Sequence, residues 1–257
     1  MTLTSEEEVG SVPTLRGKRI VITGITGQIA FPMGKYLARD NEVIGVARFT
    51  AGGSRERVEA AGIHPVLTDL GHADYAGIPV DADHLVHLAA YMQPGSIDYD
   101  LAISQNAEAT GLLLEHCRRY ESALVMSTHS VYKPVDDPWH VFAPTDPLGD
   151  VNAFSPTYSI SNIGQEAVAR TMARLLDLPV TIARMNASYG PNGGLPTYHF
   201  RAVAKGDPLV TRWDPCPYQP IHQDDINTQL AGLLAAASVP ATILNWAGDE
   251  QVTVQEW

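Results

Sequence analysis

The stretch Lys18-Arg19-Ile20-Val21-Ile22-Thr23-Gly24-Ile25-Thr26-Gly27-Gln28-Ile29-Ala30 decides the fold. Its first half is rich in β-branched residues, which is typical of a buried strand, and two glycines follow before a helical pattern. Glycine lets the backbone approach a diphosphate closely, and the N–H groups at a helix start attract that anion. The stretch therefore predicts a strand, a diphosphate-binding turn (Gly24, Thr26, Gly27, Gln28 and Ile29) and a helix; a purely structural turn is the alternative.

The same pattern of apolar strand and helix repeats along the chain. Further strands are expected at 42–47, 65–67, 84–90, 123–127 and 178–183, with helices at 104–120 and 161–176 between them. Apolar strands that alternate with helices indicate a parallel sheet covered on both faces, so the fold class is α/β, a Rossmann-type doubly wound sheet.

Three regions are expected along the chain. Residues 1–13 contain an acidic run and are expected to form a flexible N-terminus, and residues 14–188 form the dinucleotide-binding domain. After residue 188 the periodicity weakens while proline and glycine accumulate, so 189–257 are expected to form a smaller substrate-binding lobe.

Composition excludes several classes of function. The 257 residues carry 17 Lys+Arg and 29 Asp+Glu, a net charge of −12, which argues against binding of nucleic acid or an anionic membrane. No apolar run approaches the length of a membrane span, and the N-terminus lacks the basic region of a signal peptide. Cys117 and Cys216 form neither a disulfide framework nor a metal motif. A cytoplasmic protein without a bound metal is expected.

The cofactor preference depends on the end of the second strand. A carboxylate there accepts hydrogen bonds from the ribose 2′-hydroxyl of NAD, whereas an arginine accommodates the 2′-phosphate of NADP. The strand ends Val46-Ala47-Arg48 and has no acid. Arg48 therefore favours NADP, with NAD as the second choice; a solvated surface arginine is the alternative.

Eight motifs occur in a characteristic order. They are Thr23-Gly24-x-x-Gly27, Asp69-Leu70, His87-Leu88-Ala89-Ala90, Asn106, Ser127-Thr128-His129-Ser130-Val131-Tyr132, Ser155-Pro156-Thr157-Tyr158, Arg184 to Tyr189-Gly190-Pro191, and Pro220-Ile221-His222-Gln223-Asp224-Asp225. With them the chain resembles an extended short-chain dehydrogenase/reductase, the NAD-dependent epimerase/dehydratase family, over nearly its whole length. Members are usually longer, so the resemblance implies that this chain stops inside the C-terminal lobe.

The resemblance implies roles for the motif residues. Those expected at the cofactor are Asp69 and Leu70 beside the adenine, Leu88, Ala89 and Ala90 along the ribose and diphosphate, Asn106 on a nearby helix, and Tyr158 and Asn162 at the nicotinamide end. Thr128 would bond the substrate oxygen and Tyr158 would be the acid/base. A hydroxyl at a strand end and a tyrosine on the next helix can converge on one carbonyl. Family members often dimerise through the helices that follow the fourth and fifth strands, so a homodimer is an open expectation.

Four departures from the family pattern bear on chemistry. Asn162 stands where the family has the lysine that lowers the pKa of the tyrosine. Ala187 and Tyr218 stand where nucleotide-sugar enzymes carry an asparagine and an arginine that contact the sugar diphosphate. His129 follows Thr128 where sugar 4,6-dehydratases have Asp-Glu, and it is either a proton carrier or a structural side chain.

Together these observations predict an NAD(P)-dependent oxidoreductase or epimerase that acts on a hydroxyl or ketone of a small metabolite. Two alternatives stay open. The chain binds the cofactor with little or no catalysis because of Asn162, or it is a nucleotide-sugar epimerase whose backbone groups hold the diphosphate.

Overall fold

The computed structural model describes residues 13–149 and 155–257. Of the expected flexible N-terminus, 1–13, all but Pro13 lies outside the described residues. Seven strands build one parallel sheet: β1 (Arg19–Thr23), β2 (Glu42–Ala47), β3 (His64–Leu67), β4 (His84–His87), β5 (Ser122–Thr128), β6 (Val180–Met185) and β11 (Thr242–Trp246), in the order β11-β6-β5-β4-β1-β2-β3. The expected Rossmann-type, doubly wound fold class is confirmed.

Helices cover both faces of this sheet. One face carries α1 (Ala30–Leu37), α2 (Ser54–Ala60) and α7 (Gln223–Ala235), and the other carries α3 (Tyr99–Ile103), α4 (Ala109–His116) and α5 (Pro156–Leu176). A π-helical turn, Ser104–Glu108, joins α3 to α4. Two separate apolar cores result because each face of a parallel sheet packs against its own helix layer.

Two predicted helices have different bounds in the structure. The helix expected at 104–120 is divided between the π-helical turn and α4. The helix expected from residue 161 begins at Pro156 instead, because proline is well suited to the first turn of a helix. This earlier start places Tyr158 within α5.

The smaller lobe consists of short elements beside the carboxyl edge of the sheet. It contains α6 (Leu195–Lys205), a three-stranded sheet of β10 (Ile221–His222), β7 (Ser188–Gly190) and β8 (Gly193–Gly194), and an antiparallel pair of β9 (Pro217–Tyr218) and β12 (Val252–Thr253). The large sheet unit continues past the expected boundary at 189. Helix α7 and strand β11 lie after it, yet both pack in the large sheet unit because β11 pairs with β6.

No helix among the described residues is long and apolar enough to cross a membrane. Both cysteines are buried free thiols, and burial raises the pKa of Cys117 to about 12.

Candidate active site

The predicted site residues gather at one edge of the large sheet. Strands β3, β2, β1, β4 and β5 are consecutive neighbours and run parallel, so the loops after them meet at their carboxyl ends. In this order the loops carry Asp69 and Leu70, then Arg48, then the Gly24–Ile29 turn, then Leu88, Ala89 and Ala90, and finally Thr128 and His129.

The glycine turn is shaped by close backbone approach. Gly24 has φ +68°, and a Cβ there would lie 3.0 Å from both N and Cα of Ala89. A Cβ at Gly27 would lie 3.0 Å from the carbonyl oxygen of Gly24. Helix α1 then starts with no side-chain cap and no acidic residue in its first turn. The bare backbone of the two glycines and this uncapped helix start fit a bound diphosphate.

The smaller lobe contacts the outer side of this turn. Asn192 donates its amide N–H to the carbonyl oxygen of Gln28 at 2.9 Å, and Arg57 donates to the Asn192 amide oxygen at 3.0 Å. The Gln28 side chain bonds the hydroxyls of Ser188 and Tyr198. The turn is therefore fixed by the lobe as well as by the sheet.

Arg48 is an exposed cation at the end of β2. It forms no hydrogen bond or ion pair with any residue in 13–149 or 155–257. Arg57, nearby in sequence, is by contrast bonded to Asn192 and stacked over the Phe31 ring at 3.7 Å. Arg48 is therefore free to meet an anionic group.

Asp69 and Asn106 are anchored by hydrogen bonds to backbone. One Asp69 carboxylate oxygen accepts from the N–H of Gly71 at 3.1 Å and so caps a short 3₁₀ turn that contains Leu70. The Asn106 side chain bonds both backbone groups of Tyr91, just after Ala90, and donates to the Ser161 hydroxyl on α5. Asn106 thus ties the loop after β4 to the helix that carries Tyr158.

Two hydroxyl groups meet at the end of β5. The Thr128 hydroxyl interacts with Tyr158 and lowers the pKa of the tyrosine. Burial has the larger effect and raises that pKa above its ordinary value, so Tyr158 is a neutral phenol at pH 7. A proton donor and a second hydroxyl therefore stand side by side, which is the pairing that carbonyl chemistry requires.

Asn162 lies one helical turn after Tyr158 and is buried. Its amide group donates to the backbone carbonyl oxygen of Tyr158 at 2.8 Å. This bond holds part of the Asn162 side chain against its own helix, and the residue brings no positive charge to the tyrosine.

His129 packs among aromatic rings. Its imidazole contacts the rings of Tyr132 and Phe142 edge-on. Burial, together with the positive charge of Arg184, lowers the pKa of His129 to about 4. Its hydrophobic contacts and low pKa favour the structural interpretation over the proton-carrier one.

A buried ion pair supports this part of the site. Arg184 on β6 donates two hydrogen bonds to the Glu166 carboxylate on α5, at 2.9 and 2.7 Å. The same carboxylate accepts from the Ser127 hydroxyl at 2.6 Å, and Arg184 also donates to the carbonyl oxygen of Pro144. The pair thus joins β5, α5, β6 and the loop that follows β5, directly beside Thr128.

The departures at Ala187 and Tyr218 place no charged side chain at either position. The Asn186 side-chain oxygen accepts from the N–H of Ala187 at 2.7 Å, so it is used within the backbone. Tyr218 contacts the Trp257 ring, and burial raises the pKa of this tyrosine. His222 caps α7 by accepting from the N–H of Asp224, which is a structural role.

Four buried polar residues near the site were not predicted from the sequence. Thr23, His87, Thr110 and Gln165 form a hydrogen-bonded group between the glycine turn and α5. A signal did exist, because Asn106 and Thr110, and likewise Ser161 and Gln165, are polar residues four apart on otherwise apolar helix faces. Residues 13–149 and 155–257 contain no group of side chains that could hold a metal ion.

The fold of this chain is similar to that of known proteins. One similar solved structure is a UDP-glucuronic acid 4-epimerase variant from Bacillus cereus with UDP-4-deoxy-4-fluoro-glucuronic acid and NAD (19% identity, covering 93% of this chain and 80% of that one, TM-score 0.78). A second is a UDP-N-acetylglucosamine 4-epimerase from Methanobrevibacter ruminantium (18% identity, covering 94% and 80%, TM-score 0.77). A third is a dTDP-glucose 4,6-dehydratase from Streptomyces venezuelae with NAD (24% identity, covering 93% and 78%, TM-score 0.76). At these identities they establish the fold. A family model matches residues 20–214, most of the chain. The chain belongs to the NAD-dependent epimerase/dehydratase family.

Proposed function

We propose that this protein binds a nicotinamide dinucleotide along the carboxyl edge of its sheet and interconverts a hydroxyl and a ketone on a small metabolite, as an oxidoreductase or an epimerase. The observation that carries the proposal is the pairing of Thr128, the last residue of β5, with Tyr158 on α5. Beside it lie the bare glycine turn and uncapped helix that fit a diphosphate.

In the reducing direction, the Tyr158 hydroxyl gives its proton to the oxygen of the ketone as negative charge develops there. The Thr128 hydroxyl donates a hydrogen bond to the same oxygen and orients it. When bound, the nicotinamide supplies the hydride, or accepts it in the opposite direction. Oxidation requires the reverse proton transfer, so Tyr158 must first be a phenolate.

The turn Gly24–Ile29 and the first N–H groups of α1 would hold the diphosphate of the cofactor. Asp69 and Leu70 would flank the adenine, Leu88, Ala89 and Ala90 would follow the ribose and diphosphate, and Asn106 and Asn162 would complete the nicotinamide end. The family resemblance implies these roles, and the loops that carry Asp69, Leu70 and residues 88–90 follow parallel strands of one sheet.

The preferred cofactor is NADP(H), with NAD(H) second. The solved neighbours that name a cofactor contain NAD, so this preference rests on Arg48, the unpaired cation at the end of β2. We expect NADPH to bind more tightly than NADH, and Arg48→Ala to remove most of the difference by weakening NADPH alone by about tenfold. Titration by nicotinamide fluorescence measures both affinities. The control is Arg119→Ala, an exposed arginine just before β5, and equal affinities in the unmutated protein would contradict the preference.

Catalysis is tested with a panel of small ketones and alcohols, following nicotinamide absorbance. We expect turnover that Tyr158→Phe reduces by about 100-fold or more, since general acid–base groups contribute that much. Tyr36→Phe, on the far end of α1, is the matched control and should retain the rate. No turnover across the panel despite tight NADPH binding would instead support a cofactor-binding protein with little catalysis, for which Asn162 is the reason.

A nucleotide sugar is the less favoured substrate. Ala187 and Tyr218 supply no charge for a sugar diphosphate, and the surroundings of Tyr218 are aromatic. We expect uridine and thymidine diphosphate sugars to bind weakly in calorimetric titrations. Micromolar binding of either would support the alternative, an epimerase that holds the diphosphate through backbone groups.

A further inference from the structure

A single histidine lies between the glycine turn and the helices of the opposite layer. His87, the last residue of β4, is completely surrounded, and its Nδ1 lies 2.7 Å from the hydroxyl of Thr23, the last residue of β1. Its Nε2 lies 2.9 Å from the hydroxyl of Thr110 on α4. One imidazole therefore contacts the neighbouring strand β1 and the covering helix α4.

Hydrogen-bond counting fixes the proton on this ring. The Thr23 hydroxyl accepts the backbone N–H groups of Leu88 and Ala89, both at 3.1 Å, so its own proton goes to Nδ1 of His87. Burial lowers the pKa of His87 to about 4, and the ring is neutral at pH 7. A neutral ring that accepts at Nδ1 carries its proton on Nε2, which donates to Thr110.

The chain of bonds continues to the acid/base tyrosine. The Thr110 hydroxyl donates to the backbone carbonyl oxygen of Asn106, and the side-chain amide of Asn106 donates to the Ser161 hydroxyl at 2.9 Å. Ser161 in turn donates to the backbone carbonyl oxygen of Tyr158 at 3.1 Å. Thr110 also accepts from the Gln165 amide, one turn further along α5.

We propose that His87 is a positioning residue for the reaction, fixing the glycine turn through Thr23 and the helix of Tyr158 through Thr110. The inference rests on the proposed function. Its physical basis is that each bond in the group has one permitted direction, so displacement of either end leaves a buried donor or acceptor unpaired.

Two substitutions separate the two halves of this contact. His87→Asn keeps an acceptor where Nδ1 lies and loses the donor to Thr110, whereas His87→Gln keeps a donor where Nε2 lies and loses the acceptor for Thr23. We expect His87→Gln to weaken NADPH binding by about fivefold with a smaller change in kcat. We expect His87→Asn to lower kcat by about fivefold, and to shift the alkaline limb of the pH profile, with little change in NADPH affinity.

Threonine variants remove each of the two hydrogen bonds of His87 without changing the histidine. Thr23→Val also removes the acceptor of the Leu88 and Ala89 N–H groups, so it should weaken NADPH binding at least as much as His87→Gln. Thr110→Val also removes the bonds to Asn106 and Gln165, so it should lower kcat at least as much as His87→Asn. The matched control is His84→Gln, on the same strand but at its amino end, where the ring contacts the Ser122 hydroxyl and the Glu121 carboxylate. It should lower stability while leaving NADPH affinity and kcat unchanged.

Nitrogen NMR of the unmutated protein gives a readout that requires no cofactor. We expect His87 to show a proton on Nε2 and none on Nδ1 at pH 7, and the opposite tautomer would overturn the inference. Variants that all change affinity and kcat in parallel, as general loosening would, also overturn it. Failure of the unmutated protein to bind NADPH or NADH would overturn the proposed function, and His87 would then have no cofactor to position, even with the expected tautomer.

Discussion

At the residue scale, the chemistry depends on the surroundings of one phenol. Burial keeps Tyr158 protonated at neutral pH, and only the Thr128 hydroxyl opposes that effect. Asn162 contributes an amide that bonds the helix backbone and brings no charge. For the proposed reaction, the protonated phenol can donate to the developing alkoxide, so we expect reduction at neutral pH and oxidation only once the phenolate forms.

We therefore predict that Asn162→Lys moves the pH profile of alcohol oxidation. A lysine cation one turn from Tyr158 stabilises the phenolate, so the alkaline limb should fall by about 1–3 pH units. Initial rates measured between pH 6 and 11, about the range that spans an ordinary tyrosine pKa, would show the shift. A limb unaffected by this substitution, yet abolished by His129→Ala, would move the proton chemistry from Tyr158 to His129.

His129 allows a prediction about acid stability. Its pKa is about 4 in the folded protein and near 6.5 in an unfolded chain. Between these two pH values the unfolded state therefore binds a proton that the folded state does not bind. The free energy of unfolding decreases as pH falls from about 6.5 towards 4. His129→Phe should reduce this pH dependence by about one proton and fit among the neighbouring rings. Urea unfolding at several pH values measures it; an unchanged slope would show that the pKa of His129 is the same in the folded and unfolded states.

At the scale of elements, the buried pair of Arg184 and Glu166 joins β6 to α5 beside β5. Both side chains are only 3% exposed, so removal of one would leave the other charge buried without the opposite charge that it now faces. We predict that Arg184→Met lowers the free energy of unfolding by about 3–5 kcal/mol, and that Arg184→Met with Glu166→Leu costs less than the single change. Chemical denaturation measures both. The control is Arg118→Met, which breaks an exposed pair with Glu115 and should cost about 0.5 kcal/mol at most. Additive losses in the double variant would contradict this coupling.

Most strands of the large sheet could be predicted from the sequence, whereas their exact ends and the contacts between distant residues could not. The buried strands β1 to β6 have strong apolar patterns, and parallel strands necessarily bring their following loops to one edge. Strand β11 was missed because it is a half-buried edge strand, Thr242–Trp246, with a weak pattern. Ser155-Pro156 is a signal for the start of α5, but the helical spacing of apolar residues begins only at Ser161. The contact of His87 with Thr23 joins residues 64 apart, which no local pattern encodes.

At the scale of the whole molecule, the sheet and the smaller lobe share the site. Asn192 and Tyr198 reach Gln28 in the glycine turn, and Gln223 at the start of α7 bonds the carbonyl oxygen of Ile29. Substrate bound between them would therefore contact the lobe on one side and the cofactor edge on the other. This shared position explains why no simple boundary divides the chain at residue 189.

The outer face of α3, α4 and α5 carries the last prediction, which concerns assembly. Leu101 and Leu112 on this face are 41% and 51% exposed, and large apolar side chains exposed together on packed helices favour association. We predict a homodimer through this face, in which Leu112→Glu weakens association by about 30-fold or more, as loss of a central apolar contact would. Sedimentation velocity over a range of concentrations measures it. Val210→Glu is the control, because Val210 is 95% exposed in the smaller lobe, away from this face. A dimer that persists in Leu112→Glu and dissociates in Val210→Glu would show that the interface lies in the smaller lobe. An unmutated protein that stays monomeric would contradict the predicted dimer.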